Sequence, residues 1–313
     1  MKLITYRQGD GPVKTGVVLG ENVSDARVLD ISAWLTALPI SAEAESHNAA
    51  SGIAAPTGGI MRWLQSGPDA IAKLATHVEH ASQQANTLFD LFKDLTLYAP
   101  VPRPGKIMGV GRNYADHAKE SGVTPFEKPR IIFKVPSSVA AANADVPRPA
   151  AVTKMDFETE LAVIIGGYGK DVAAADAMAL VAGYTLLNDV SAREFQFDVS
   201  PPQTTFAKSM DGFAPMGPWL VTRDEIADPQ TLELTCTLNG QPMQHGHTAD
   251  MLFPVATLIA YLSQFMTLEP GDVIGTGTPA GIGAFRKPPI YLHPGDQLRM
   301  EISQVGVMDH TII

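Results

Sequence analysis

The chain opens on short apolar runs, LITYR, TGVVLG and VLDI, broken by Gly, Asp and Asn, and this pattern predicts β-strands within residues 1 to about 35. An Ala-rich, helical region follows, up to about Phe92. Together they predict a small α+β unit. In LYAPVPRPG, Pro100, Pro102 and Pro104 fall at alternate positions, so the segment can neither continue a helix nor sit in a central strand. It marks the boundary between an N-terminal α+β domain, residues 1–98, and a second domain, residues 99–313.

In the second part, RIIFKV, ELAVIIG, GYTLL, GPWLV, LELTCTLNG, DVIGTG and DQLRMEI have strand length and strand composition, separated by Gly, Pro, Asp or Asn. The clearest helical pattern is MLFPVATLIAYLSQFM. The expected class is therefore α+β and β-dominated, not a regular βαβ alternation. No internal repeat interrupts it.

Composition narrows the function. Of 313 residues, 45% are apolar and 18% charged, the balance of an ordinary globular protein. A net charge of −10 without any basic run argues against nucleic acid or an anionic membrane as partner. An acidic protein that handles an anionic substrate needs a local positive centre, and a bound metal cation can be one. The lone Cys236 permits no intramolecular disulfide, and it reads as a small core residue in a protein of a reducing compartment. MKLITYRQGD lacks the apolar core of a signal peptide, and the apolar stretch from Ala179 to Leu187 is too short to span a bilayer. A cytoplasmic protein is expected.

Candidate chemistry lies in four places. In DFETELAVIIG, strand alternation points Glu158 and Glu160 to one side, and Asp189 ends another apolar run, GYTLLND. Close, buried carboxylates repel one another unless a cation neutralises them. Oxygen ligands suit Mg²⁺ or Mn²⁺ better than Zn²⁺. Alone, E-x-E is also compatible with a solvated pair on an edge strand. In GVGRNYADHAKESG, His117 and Glu120 are three apart and share a face if the stretch is helical, either as an acid–base pair or as an exposed ion pair. Lys208 precedes a turn-rich stretch, and Thr278 lies in the Gly-rich GDVIGTGTPAGIG. A dinucleotide site is excluded there: the spacing is G-x-G-x-x-x-G, and Pro279 falls where a helix N-terminus would have to offer N–H groups.

Taken in order, these segments resemble the fumarylacetoacetate hydrolase family. The resemblance rests on GRNYADHAKE from Gly111 to Glu120, DFETELA around Glu158 and Glu160, and NDVSAREFQ from Asn188 to Gln196. It continues through KSMD from Lys208, GPWLV from Gly217 and PGDVIGTGTPAGIG from Pro270 to Gly283. It implies a mixed β-sandwich roll, usually a homodimer, with Mg²⁺, Mn²⁺ or Ca²⁺ held by Glu158, Glu160 and Asp189. It further implies a His117–Glu120 dyad on a mobile lid, about Asn113 to Pro125, and catalytic use of Lys208. Arg112, Tyr114, Gln196 and Thr278 match positions that contact substrate. Two departures bear on substrate identity: residue 247 is His, and the first 98 residues exceed the short leader of the smallest members.

The expected reaction is hydrolysis of a carbon–carbon bond in an acylpyruvate such as maleylpyruvate or fumarylpyruvate, a class met in aromatic catabolism. His117 with Glu120 would activate water, and Lys208 would stabilise the developing negative charge. Tautomerisation, isomerisation or decarboxylation of a 2-oxo acid such as oxaloacetate uses the same enolate without added water. A metal-stabilised binding module without turnover is the remaining reading.

Overall fold

The computed structural model describes residues 1–20, 25–51, 58–84, 86–122, 124 and 126–313. The chain begins with β1 (Lys2–Gln8), β2 (Lys14–Leu19) and β3 (Arg27–Asp30), antiparallel neighbours in sequence order. Helices α1 (Ser32–Ala37), α2 (Ala42–Ser51), α3 (Ile60–Leu64) and α4 (Ala70–Gln83) follow. The helical region does not reach Phe92. Instead β4 (Phe89–Leu91) pairs with β3, Leu29 facing Phe89, and β5 (Leu95–Tyr98) pairs with β1. Open strand edges give these residues backbone partners that local composition does not reveal.

Beyond the proline-rich segment come β6 (Ile107–Gly111), α5 (Ala115–Glu120), β7 (Arg130–Lys134) and β8 (Val139–Ala141). Next are β9 (Met155–Asp156), β10 (Thr159–Ile165), β11 (Val181–Asn188) and β12 (Ser191–Ala192). Short helices α6 (Glu194–Phe197) and α7 (Thr204–Ala207) lead to β13 (Ala214–Thr222). The chain closes with β14 (Glu233–Leu238), β15 (Gln241–His247), α8 (Val255–Ser263), β16 (Val273–Gly275), β17 (Gln297–Ile302) and β18 (Gly306–Thr311).

The main sheet runs β4-β3-β2-β1-β13-β11-β10-β16-β6-β7, with β5 added at β1 and β8 at β13. It is mixed, since β16–β6 and β8–β13 are parallel while β10–β11 and β11–β13 are antiparallel. Strands from both sides of the expected domain boundary share it, because Lys2 and Leu3 pair with Val221 and Leu220.

Every residue of β10, β11 and β13 is buried, which explains their unbroken apolar runs. Alternation divides them between two cores. Leu161, Val163 and Ile165 join the core that includes Leu258 of α8 and Leu234, Met300 and Met308 of a second sheet, β15-β14-β17-β18. Ala162 and Ile164 face Leu35, Trp63 and Leu74 of the N-terminal helices. Each such aliphatic side chain contributes roughly 1.5–3 kcal/mol on burial. The result is a β-dominated roll in which α1, α3 and α4 cover one face of the large sheet and the small sheet covers the other. Among the described residues, no helix is long and apolar enough to cross a membrane.

Candidate active site

β10 and β11 end side by side, with Thr159 opposite Asn188 and Glu160 opposite Leu187. Glu158 stands just outside β10, and the ladder continues there because Asp189 N donates to the Glu158 carbonyl at 2.9 Å. This register brings the three acids together. One carboxylate oxygen from each of Glu158, Glu160 and Asp189 lies within 4.8 Å of the others, and all three residues are buried.

Cations surround two of the three. Glu158 accepts from Arg193 at 2.6 Å and from Lys208 at 2.8 Å. Asp189 accepts from Lys208 at 2.6 Å and from Lys134 at 2.6 Å. Burial alone would raise the Glu158 carboxyl, but Lys208 and Arg193 outweigh it and hold that group well below the usual carboxylate range. Among the described residues, Glu160 has one backbone N–H, from Gly277 at 3.2 Å, and no side-chain cation within hydrogen-bonding reach. Burial first, then the charges of Asp189 and Glu158, push its carboxyl well above the ordinary value. A buried, oxygen-only donor set with one such acid fits a hard divalent cation.

Burial lowers Lys134, although Asp189 opposes it, whereas for Lys208 the carboxylates of Asp189 and Glu158 outweigh burial and raise it. Arg193 also donates to Asp156 at 2.8 Å and to Gln196 at 2.9 Å, which fixes its fork across the site.

The triad opens into a cavity of about 230 Å³ whose walls include Val110, Ile132, Phe197, Pro202, Ile282 and Phe285. His117 lines it from α5. The i, i+3 spacing sets His117 Nδ1 2.8 Å from Glu120 Oε1, and Glu120 is itself held by the Gly281 N–H at 3.2 and 3.1 Å. Among the described residues, Nε2 has no hydrogen-bond partner. In the expected lid, Asn113 to Pro125, Val123 and Pro125 lie outside the described residues. Asn113 is tied down, donating to the carbonyls of Phe253 at 3.1 Å and Thr276 at 2.8 Å.

Arg112, Gln196, Lys208 and Thr278 also line the cavity, whereas Glu120 and Tyr114 do not. Tyr114 is fully buried, and His247 is exposed, its Nδ1 accepting from Ala249 N at 3.1 Å. Arg112 adopts a left-handed backbone with φ 58°. That conformation costs a residue other than glycine about 1 kcal/mol. Thr278 is anchored by donation to the Thr159 carbonyl at 2.9 Å and by Gln244 Nε2 at 2.7 Å. Burial pushes the Cys236 thiol up to about 12, which suits a core residue and not a nucleophile.

Sequence reasoning gave no role to Lys134, Arg193, Arg130 or Gln244. Arg193 lies in NDVSAREFQ, three residues before Gln196, and that i, i+3 spacing is the local signal that marks it. Lys134 looked like any polar residue near a strand end.

Buried carboxylates, paired lysines and a histidine–glutamate pair thus meet at the end of the large sheet, in an arrangement whose oxygen donors fit a divalent cation. A family model described as fumarylacetoacetate (FAA) hydrolase C-terminal matches residues 106–313. The chain belongs to the fumarylacetoacetate hydrolase family. It is 46% identical over 220 residues, 70% of each chain, to human mitochondrial oxaloacetate tautomerase FAHD2A. Among solved structures, 5-carboxymethyl-2-hydroxymuconate delta-isomerase from Mycobacterium smegmatis is 30% identical with a TM-score of 0.72, covering 100% of this chain and 98% of that one. Maleylpyruvate hydrolase from Sphingobium sp. SYK-6, solved with manganese(II) and pyruvate, is 28% identical with a TM-score of 0.76, covering 100% and 99%.

Proposed function

We propose that this chain interconverts the keto and enol forms of oxaloacetate, or of a closely related 2-oxo dicarboxylic acid, with Mg²⁺ or Mn²⁺ as cofactor. The observation that carries the reading is the meeting of the buried triad Glu158, Glu160 and Asp189 with His117 in one small cavity. Identity of 46% to an oxaloacetate tautomerase, against 28% to a maleylpyruvate hydrolase, moves tautomerisation ahead of the hydrolysis expected from sequence.

Glu158, Glu160 and Asp189 would hold the divalent cation, and Ca²⁺ is compatible with the same oxygens. When bound, the cation supplies Lewis-acid polarisation of a 2-oxo group. His117 Nε2 takes the proton from C3 of the keto acid and returns it at the 2-oxygen. Glu120, 2.8 Å from Nδ1, orients the imidazole. Lys208 spends two donors on Glu158 and Asp189 and keeps a third for an anionic substrate oxygen. Gln196 and Thr278 present polar atoms to the substrate, and Val110, Ile132 and Phe285 exclude bulk water.

Hydrolysis of an acylpyruvate is the second reading, favoured by the dyad itself, since the same Nε2 can deprotonate a water. A homodimer, supported by the exposed Phe133, Phe197 and Phe206, and a cytoplasmic location belong to the same proposal. So does treatment of residues 1–98 as a folding unit.

The test is to supply freshly made enol oxaloacetate and acylpyruvates with Mg²⁺ or Mn²⁺, following enol absorbance and pyruvate release together. Loss of enol absorbance without pyruvate is expected. Pyruvate with an equivalent of carboxylic acid from an acylpyruvate, and no tautomerisation, would put the hydrolase first.

A further inference from the structure

The charges of the cavity are settled at one end only. At the buried end Lys134, Lys208 and Arg193 each donate to a carboxylate. At the outer end the half-buried Arg112 and the exposed Arg130 also line the cavity. Among the described residues, neither guanidinium has a carboxylate partner. Both instead approach the Phe126 ring, at 5.8 and 5.9 Å. Burial, then the neighbouring Arg130 charge, hold the Arg112 guanidinium below its ordinary value. Two like charges side by side at a cavity mouth are relieved by a bound anion.

The strands set how far this pair stands from the triad. Arg130, Ile132 and Lys134 alternate on β7 and so share a face. Lys134 reaches Asp189, while Ile132 and Arg130 line the cavity. On neighbouring β6, a Cβ at Gly109 would lie 3.5 Å from Asp189 Oδ2, and one at Gly111 would lie 3.5 Å from Arg130 Cδ. Those two positions are one two-residue step apart, roughly 7 Å. With the swing of a guanidinium, that step matches the reach of a short dicarboxylic acid.

We propose that Arg112 and Arg130 form a clamp for the distal carboxylate of the substrate, which makes the enzyme selective for 2-oxo acids carrying a second carboxylate. This rests on the reading that the triad end takes the 2-oxo carboxylate group. Arg112 keeps its left-handed backbone at the mouth, where its fork joins that of Arg130 on one anion.

The experiment compares oxaloacetate with 2-oxobutanoate, which has the same four-carbon chain without the distal carboxylate. Both are titrated calorimetrically into Mn²⁺-loaded wild type, Arg112→Gln, Arg130→Gln and the double variant, and keto–enol turnover is measured on the same samples. Wild type is expected to bind oxaloacetate at least about tenfold more tightly, the worth of a charge-assisted contact. Each single change shrinks that ratio, and the double variant brings it near unity. Arg130→Lys, which keeps the charge and loses the fork, should fall between wild type and Arg130→Gln. A wild-type ratio near unity, or one unchanged in the double variant, overturns the clamp. An Arg-dependent ratio with no turnover of either acid keeps the clamp and overturns the tautomerase reading. Turnover with no Arg-dependent ratio does the reverse.

Discussion

Lys134 Nζ lies 2.6 Å from Asp189 Oδ1, with both side chains almost fully buried. A lysine there competes with a divalent cation for the same carboxylate. Lys134→Met keeps the stem and removes the charge. It should tighten Mn²⁺ binding and destabilise the metal-free protein by about 2 kcal/mol, the cost of losing a partner to a buried charge. Calorimetric Mn²⁺ titration and denaturant unfolding read the two effects. Unaltered Mn²⁺ affinity would separate Lys134 from the site.

Gly275 ends β16 directly against the triad, where an added Cβ would collide with Glu160 Oε2 and come within 3.1 Å of Leu187. Gly275→Ala is therefore expected to displace Glu160 and weaken Mn²⁺ binding by about tenfold or more, equivalent to roughly 1.4 kcal/mol. The fold should persist, since the added volume is one methyl group. Normal Mn²⁺ affinity in this variant would show that Glu160 is not needed where it stands.

The dyad makes a kinetic prediction. His117→Ala and Glu120→Gln should each lower turnover by about 10²- to 10⁴-fold, the usual worth of general acid–base catalysis, with metal binding retained. Because the two act as one unit, the double variant should be scarcely worse than the worse single one. Near-normal turnover in His117→Ala would remove the imidazole from the reaction.

The buried His310 gives a pH signature. Its Nε2 faces Asn188 Nδ2 at 2.9 Å, while Asn188 Oδ1 accepts from the Glu158 N–H at 3.1 Å, so the imidazole is the acceptor and is neutral. Burial holds its pKa down, at about 4 against 6.5. The unfolded chain takes up a proton first as pH falls. The stabilisation is complete above about pH 6.5 and is lost on the way to about pH 4, by roughly 3 kcal/mol. Denaturant unfolding across that window should be flatter for His310→Gln. An equal slope in both proteins would contradict the assignment.

The β-dominated class and the convergence of the acids were legible because strand alternation is a local signal. Glu158 and Glu160 needed only their spacing, and the register of Thr159 with Asn188 supplied Asp189. Pairing of Lys2 with Val221 joins residues far apart in the chain and leaves no local trace, so the sheet's continuity across residue 98 was invisible. The strand Phe89–Leu91 was hidden in the same way, since its partner edge at Leu29 lies across four helices. Lys134 and Arg193 were missed because a buried cation is told from a surface one only by its partners. Tyr114 sits in the same short motif as Arg112 and His117, yet the turn at the end of β6 sends it into the core.

The central claim is that Glu158, Glu160 and Asp189 hold a divalent cation on which the turnover of a 2-oxo acid depends. The direct measurement is keto–enol turnover of oxaloacetate by thoroughly chelated protein during stepwise addition of Mn²⁺, for wild type and Glu160→Gln. Turnover near zero in chelated wild type, rising to a plateau at one Mn²⁺ per chain and staying near zero in Glu160→Gln, is the expected result. Undiminished turnover after metal removal, or a Glu160→Gln variant that responds to Mn²⁺ as wild type does, would contradict it.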